Sequence, residues 1–148
     1  MANERSLVLK AIGVVRNEVK QPAREGWEKV VSDIVIESRL TEALEGLEDF
    51  SHIIVLYWMH RRDKGLAMKV HPRGNPELPL VGLFATRSPH RPNPLGKTTV
   101  RLLERRGNIL RVQGLDAIDG TPVMDIKPYI PGYDSVAEAR VPSWVTRQ

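Results

Sequence analysis

The sequence predicts a mainly β fold: a single-domain β-barrel with one or two short helices and long loops. Three observations lead to this class. Short runs of β-branched and apolar residues recur along the 148 residues, and turn-forming Gly, Pro, Asn and Asp separate them. Helical periodicity is confined to one short segment, so strands must build most of the core. The length fits one domain, residues 1–148.

The elements follow from local patterns. Residues 40–47 form the one convincing short helix, with Thr41 as its candidate N-cap. Gly107-Asn108 is a hairpin signal between two alternating runs. Residues 60–78 carry several Gly and Pro residues and predict a long loop. The predicted strands are Leu7–Val15, Val30–Ile36, Ser51–Met59, Leu80–Thr86, Thr98–Arg106, Ile109–Leu115 and Pro122–Ile126.

The segment Arg87–Gly96, with the sequence RSPHRPNPLG, is the most unusual in the chain. Its three prolines fix φ and remove backbone donors, which excludes a helix and a central strand. Arg91, a histidine and an asparagine lie between the prolines, and Arg87 precedes them. A stiff polar loop of this kind between two strands is typical of a pre-organised binding site, because its ordering entropy is lost at folding and not at binding.

Composition narrows the class of protein further. The chain has no cysteine, which excludes a disulfide framework and thiolate chemistry. The N-terminus lacks a long apolar run typical of a signal peptide, and the apolar stretch Ile53–Met59 is too short to cross a bilayer. We therefore expect a soluble, cytoplasmic protein with no membrane partner.

Charge is concentrated in one third of the chain. Residues 60–111 carry 12 basic and 3 acidic side chains, whereas residues 1–59 carry 7 and 10, and residues 112–148 carry 3 and 5. This asymmetry surrounds the proline-rich segment. It favours an anionic partner, with nucleic acid the leading candidate and a solvated basic face the alternative.

Familiar cofactor motifs do not fit. Gly96-Lys97-Thr98 resembles the end of a phosphate-binding P-loop, but its first glycine would fall at Arg91 and a strand follows where that motif needs a helix. A Rossmann glycine pattern after a strand is missing as well. The four histidines lack the spacing of a zinc site, so we expect no metal.

Several polar positions allow two interpretations. The turn with Asp116 and Asp119 suits either aspartate side chains that bond to nearby backbone donors, or a carboxylate that binds a ribose hydroxyl or acts as a base. Asp125 and Lys127 share one face of a strand, where an ion pair is the simpler interpretation. His60, at the end of a strand, suits a ligand contact or a structural role equally.

Taken together, two long motifs resemble the TsaA-like, or TrmO, family of methyltransferases. They are GLFATRSPHRPNPLG at Gly82–Gly96 and DGTPVMDIKPY at Asp119–Tyr129. Ile12–Arg16 and Leu47–His52 are weaker matches in the expected order. The resemblance implies a β-barrel, a homodimer, S-adenosylmethionine bound without a Rossmann domain, and N6-methylation of threonylcarbamoyladenosine beside the anticodon of tRNA.

Carried onto this sequence, the resemblance assigns site residues. The implied cofactor contacts are Pro22, Arg24, His60, Arg61, Arg87, Lys97, Gly114, Leu115 and Asp116. The implied contacts to the anticodon arm are Arg91, Asn93, Lys127 and Tyr129. Asp125 and His90 are the catalytic candidates, as acceptors of the proton that the substrate nitrogen loses.

The chain departs from the family pattern in its first loop, where many bacterial members carry Pro-Arg-Gln and this sequence has Pro22-Ala23-Arg24. Many members also carry a further C-terminal domain. Two other functions therefore stay open: a module that binds S-adenosylmethionine or methylates a small molecule, and an RNA-binding barrel without the cofactor.

Overall fold

The computed structural model describes residues 5–23, 25–59 and 65–145. The chain divides into two compact units. The barrel unit comprises Met1–His60 and Gly96–Tyr129, and the loop unit comprises Arg61–Leu95 and Ile130–Gln148. Arg24, His60 and Arg61, three of the expected cofactor contacts, lie outside the described residues.

The described residues form eight strands, six of which close into a barrel. In chain order the strands are β1 Gly13–Arg16, β2 Val31–Ile36, β3 His52–Trp58, β4 Lys69–Val70, β5 Val81–Gly82, β6 Leu95–Arg106, β7 Ile109–Gln113 and β8 Pro122–Pro128. The order around the barrel is β1-β2-β7-β6-β3-β8, and β4 and β5 form a separate two-stranded sheet. The mainly β class with a barrel is thus confirmed.

Alternation of side chains builds the barrel core. In β2, every second residue points inward, so that Ser32, Ile34 and Ile36 are buried. In β7, Leu110 and Val112 are buried in the same way. β-Branched side chains suit these positions, since their restricted rotamers pack well on a pleated surface.

Register is fixed by antiparallel neighbours. β2 pairs with β7 so that Ile34 lies opposite Leu110, and β6 pairs with β7 so that Arg101 lies opposite Gln113. The β6–β7 hairpin turns at Gly107-Asn108, and Gly107 has a φ of +61°. The hairpin predicted from these two residues is confirmed, because glycine adopts positive φ without steric cost.

The first predicted strand, Leu7–Val15, is wrong at its N-terminal end. Pairing begins at Gly13, although Ile12 still donates a backbone hydrogen bond to Val123 O at 2.8 Å. Leu7 is 84% exposed and Val8 89% exposed, so this apolar run has no strand partner in the described structure. A segment forms a strand only where a neighbouring strand is available for pairing, and apolar character does not provide that neighbour.

The predicted helix at residues 40–47 is replaced by two 3₁₀ segments, Ser38–Leu44 and Leu47–Asp49. Between them Gly46 has a φ of +89°, which ends the first segment. Thr41 is no N-cap, since its hydroxyl donates back to Ser38 O at 2.7 Å inside the segment. These segments pack Leu44 into the core and Leu40 and Leu47 against it.

In the loop unit, the predicted strand Leu80–Thr86 is mostly wrong. Only Val81 and Gly82 pair, with Lys69 and Val70, and a 3₁₀ turn follows at Leu83–Ala85. Thr86 closes this turn, because its N–H and its hydroxyl both donate to Leu83 O. A four-residue helix, α1 Pro131–Asp134, lies near the end of the unit.

The helices of the protein are short. None of those in the described ranges is long and apolar enough to cross a membrane.

The approach of β6 to β3 requires Gly96. A Cβ built at this position would overlap the ring of Tyr57, which is 4% exposed and hydrogen-bonded through its hydroxyl to Thr98 Oγ1 at 2.8 Å. We therefore expect Gly96→Ala to lower the free energy of unfolding by about 1–3 kcal/mol through overpacking. Urea unfolding measures the effect.

Gly82→Ala is the matched control. Gly82 has an ordinary φ of −59°, and a Cβ there would meet nothing within 4 Å. Equal stability of the two variants would contradict the close packing of Gly96 on Tyr57.

Candidate functional site

The first loop and the segment after β7 are joined through the side chain of Asn17. Its Nδ2 donates to Ala117 O and to Ser32 Oγ, both at 2.9 Å. Its Oδ1 accepts the Val19 N–H at 2.9 Å, and its own N–H donates to Asp119 Oδ1 at 3.0 Å. Asn17 therefore holds two stretches that are expected to bind the cofactor. One lies around Pro22 and the other around Gly114–Asp116.

Asp119 also takes part in the junction at Asn17. Lys20 Nζ donates to its Oδ2 at 2.8 Å, and the Asn17 N–H donates to Oδ1. These hydrogen bonds, that from Lys20 foremost, lower the pKa of the Asp119 carboxyl below its usual value. Of the two interpretations of Asp119, the structure favours bonding to backbone donors, although the donor comes from the distant first loop.

Gly114, Leu115 and Asp116 continue from β7. Gly114 has a φ of +96° and donates its N–H to Val30 O at 3.0 Å, which turns the chain away from the strand. Leu115 is fully buried and anchors the segment in the core. Asp116 is exposed and its carboxylate has no hydrogen-bond partner among the described residues. Desolvation by the surrounding protein raises its pKa.

Pro22 lies exposed at the start of a loop that is held at both ends. Trp27 Nε1 donates to Ala23 O at 2.7 Å, and Gln113 Nε2 donates to Glu28 O at 3.1 Å. The Pro22 loop is thus tied to the end of β7, next to Gly114. Lys97, on β6, points outward and is exposed.

Asp125 and Lys127 lie in β8, and Tyr129 follows directly after it. Asp125 Oδ1 accepts the N–H of Ile126 at 2.9 Å, and its Oδ2 pairs with Lys127 Nζ at 3.2 Å. The ion pair considered from the sequence is thus present. Tyr129 packs edge-on against His52, with ring centroids 6.4 Å apart. Both oxygens of Asp125 are therefore engaged within its own strand.

Asp125 also lies at the rim of a mostly apolar cleft of about 420 Å³ at one end of the barrel. Leu40, Leu47, Phe50 and Ile126 contribute to its lining.

In the loop unit, Arg91 shapes the proline-rich segment from within. Its Nη1 donates to Thr86 O at 2.7 Å and to Ser88 O at 3.1 Å. Its guanidinium also lies over the Phe84 ring, 5.5 Å from the centroid. Hydroxyl groups stabilise the same stretch, since Ser88 Oγ accepts the His90 N–H at 3.3 Å. The stiff, irregular loop predicted from the prolines is confirmed up to Pro94, whereas Leu95 and Gly96 already belong to β6.

Unlike Arg91, the side chains of Arg87 and Asn93 do not stabilise the proline-rich segment. Arg87 and Asn93 are exposed, and no protein partner of either side chain lies in the described ranges. His90 Nδ1 is buried and lacks a hydrogen-bond partner there. An unpaired buried nitrogen costs free energy unless a ligand completes it.

Sequence reasoning missed two roles. No motif in the sequence identified Asn17, although a polar residue directly after a strand is a common anchor for a turn. Arg91 was expected to contact substrate, and a guanidinium that binds the carbonyls of its own loop becomes evident only in the folded structure. A metal centre gains no support, because no group of three His, Asp or Glu side chains in the described ranges is placed to hold an ion.

Loss of the Asn17 amide would break the junction. We expect Asn17→Ala to lower the free energy of unfolding by about 1–3 kcal/mol, since Ser32 and Ala117 are buried and would lose their donor. Urea unfolding gives the energy, and amide exchange at Val19 and Asp119 reports the local opening.

The exposed Asn75 provides the control for this substitution. Its Oδ1 accepts only the nearby Glu77 N–H, so Asn75→Ala should change stability by less than about 0.5 kcal/mol. If Asn17→Ala is no more harmful than Asn75→Ala, the junction does not depend on the amide.

Comparison with known proteins places this geometry in a family. The family model described as the tRNA-methyltransferase O N-terminal domain matches residues 15–135. A probable S-adenosyl-L-methionine-binding protein of Archaeoglobus fulgidus is 44% identical over 137 residues, which is 90% of this chain and 37% of that protein. The mouse tRNA (adenine(37)-N6)-methyltransferase is 47% identical over 96 residues, 63% of this chain and 22% of that protein.

A solved structure has the same fold. The crystal structure of TrmO from Pseudomonas aeruginosa superposes with a TM-score of 0.76 at 32% identity, over 93% of this chain and 61% of that chain. The present chain thus spans between about a fifth and three fifths of these three proteins. From the extent of the match to the family model, the chain belongs to the family of the tRNA-methyltransferase O N-terminal domain.

Proposed function

We propose that the protein is a cytoplasmic, S-adenosylmethionine-dependent methyltransferase that N6-methylates threonylcarbamoyladenosine next to the anticodon of tRNA. The observation that carries the proposal is the junction at Asn17, which fixes two expected cofactor-binding stretches side by side in a chain of this family. The names of the archaeal and mouse relatives support the cofactor and the tRNA substrate, respectively.

The polar groups left without protein partners fit the cofactor. S-adenosylmethionine carries a carboxylate, an ammonium group, a ribose and an adenine. Arg87 offers an exposed guanidinium for the carboxylate, and Asp116 offers a carboxylate for a ribose hydroxyl or the ammonium group. Desolvation by the surrounding protein raises the pKa of the Asp116 carboxyl.

When bound, S-adenosylmethionine supplies an electrophilic methyl group on its sulfonium. The protein's task is then to orient the substrate nitrogen and to receive its proton. Positioning of reacting groups can contribute about 7–11 kcal/mol to such a step. The stiff proline-rich loop suits this task, because it is pre-formed by Arg91 and by its hydroxyl side chains.

Of the two proton acceptors suggested by the sequence, His90 is the better candidate. Asp125 has both oxygens engaged, one with the Ile126 N–H and one with Lys127. His90 Nδ1 has no partner in the described structure. We therefore assign proton acceptance to His90, and the tRNA contacts to Asn93, Lys127 and Tyr129.

A homodimer belongs to the same proposal. The loop unit exposes several large apolar side chains, with Phe84 at 77% and Met68 at 69%. Large apolar side chains with this exposure are available to an interface. A second copy of the chain, as the family resemblance implies, is the partner that we propose for it.

Cofactor binding is the first test. We expect the purified protein to bind S-adenosylmethionine in calorimetry, and Arg87→Ala to weaken binding about tenfold or more through loss of a charged hydrogen bond. Arg140→Ala, an exposed arginine in the same unit, is the control and should bind like the wild type. Unchanged affinity in Arg87→Ala would remove Arg87 from the site.

Methyl transfer is the second test. Labelled S-adenosylmethionine should transfer its methyl group to tRNA that carries threonylcarbamoyladenosine, and not to tRNA that lacks this modification. The archaeal relative named for cofactor binding alone favours a second candidate, a binding module without RNA activity. Cofactor binding with no label in either tRNA would support that candidate, or a methyltransferase for a small molecule, and refute the proposed methylation of tRNA.

A further inference from the structure

A second, polar cleft lies on the outer wall of the barrel. Its volume is about 400 Å³. It is bordered by side chains from β3, β6 and β7 and by the end of the first loop, namely Glu28, His52, Thr99, Arg101, Gln113 and Gly114. Gly114 is an expected cofactor contact, and Glu28 and Gln113 hold the loop that carries Pro22, whereas Thr99 and Arg101 have no role in the site argued above.

Arg101 is the notable cation of this cleft. The other three arginines of β6 and β7 are ion-paired: Arg105 with Glu48 at 3.3 Å, Arg106 with Glu104 at 3.0 Å and Arg111 with Asp33 at 3.6 Å. Arg101 is exposed and pairs with no carboxylate in the described ranges. It lies opposite Gln113 at the cleft and is therefore available to an anionic ligand.

Lys97 extends the same positive surface. Residues 97 and 101 of β6 both point outward and are exposed. Four residues of a strand span about 13 Å, so the two cations form a row along the strand and not a single pocket. A row of separated cations matches a chain of phosphates better than one isolated anion.

The rest of the lining is suited to bases. Gln113 uses its Nε2 on Glu28 O, which leaves its Oε1 as an acceptor, while Thr99 presents a hydroxyl. The Glu28 carboxylate would repel a free phosphate but accepts from base amino groups. His52, with Tyr129 edge-on beside it, offers a ring surface on which a base can stack.

We infer that this cleft binds a single-stranded stretch of the RNA substrate, with a phosphate on Arg101 and a base against His52. The inference rests on the proposed function for the identity of the RNA. The resemblance assigns Lys97 to the cofactor and Tyr129 to tRNA, and the inference adds Arg101 and His52 on the barrel wall as contacts that it did not assign. Positively charged grooves with ring surfaces are the usual means of holding single-stranded nucleic acid.

The test compares Arg101→Gln with Arg106→Gln, which removes a cation from the same strand outside the cleft. Binding of tRNA is titrated without cofactor between about 50 and 200 mM salt. We expect Arg101→Gln to weaken binding about fivefold and to reduce the slope of log K against log salt by about 1, whereas Arg106→Gln leaves both unchanged. Arg101→Lys should restore most of the slope, because it keeps the charge.

Three outcomes decide the inference. A slope in Arg101→Gln equal to that of the wild type overturns it. A loss of S-adenosylmethionine affinity in the same variant also overturns it, because the cleft would then belong to the cofactor site through Gly114. The expected difference in slope from a protein that transfers no methyl group supports the cleft and refutes the proposed reaction instead.

Discussion

The side-chain amide of Asn17 is the constraint on which the barrel's candidate site depends. One residue after β1 ends, it satisfies the buried Ser32 hydroxyl and the Ala117 carbonyl, and it fixes the turn to Val19. Asp119 then returns the contact to the Asn17 backbone. Because β1 is only four residues long, side-chain bonds replace the ladder that a longer strand would supply.

In the loop unit, a side chain also satisfies backbone groups that have no strand partner, but there it is an arginine. Its proline-rich segment cannot form a ladder, so its carbonyls need other donors. Arg91 supplies them for Thr86 and Ser88 while its flat face covers Phe84. Asn17 and Arg91 therefore each hold one stretch of backbone in place, and the side chains of Asp116 and Arg87 near them are exposed.

Strands with partners on both sides could be predicted from the sequence, as for residues 31–36, 52–58 and 109–113, where alternation or a continuous apolar run marks the core face. The failures share a cause. Leu7–Leu9 are as apolar as a strand but lack a neighbour, and Leu83–Ala85 turn because Thr86 bonds back to Leu83. What prevents pairing is in each case something that a hydrophobic pattern does not contain: the missing neighbour of residues 7–9 and the hydrogen bond of Thr86.

The charged surface of the protein could also be predicted only in part from the sequence. The basic middle third favours an anionic partner only through its total charge, since the sequence does not show which cations are neutralised. The partners are remote: Glu48 for Arg105 and Asp33 for Arg111. Once these pairs are set aside, the positive surface of β6 reduces to its first half, where Lys97 and Arg101 face outward. An anionic strand binds where a cation lies far from any carboxylate. The count of basic residues in the sequence does not show which cations these are.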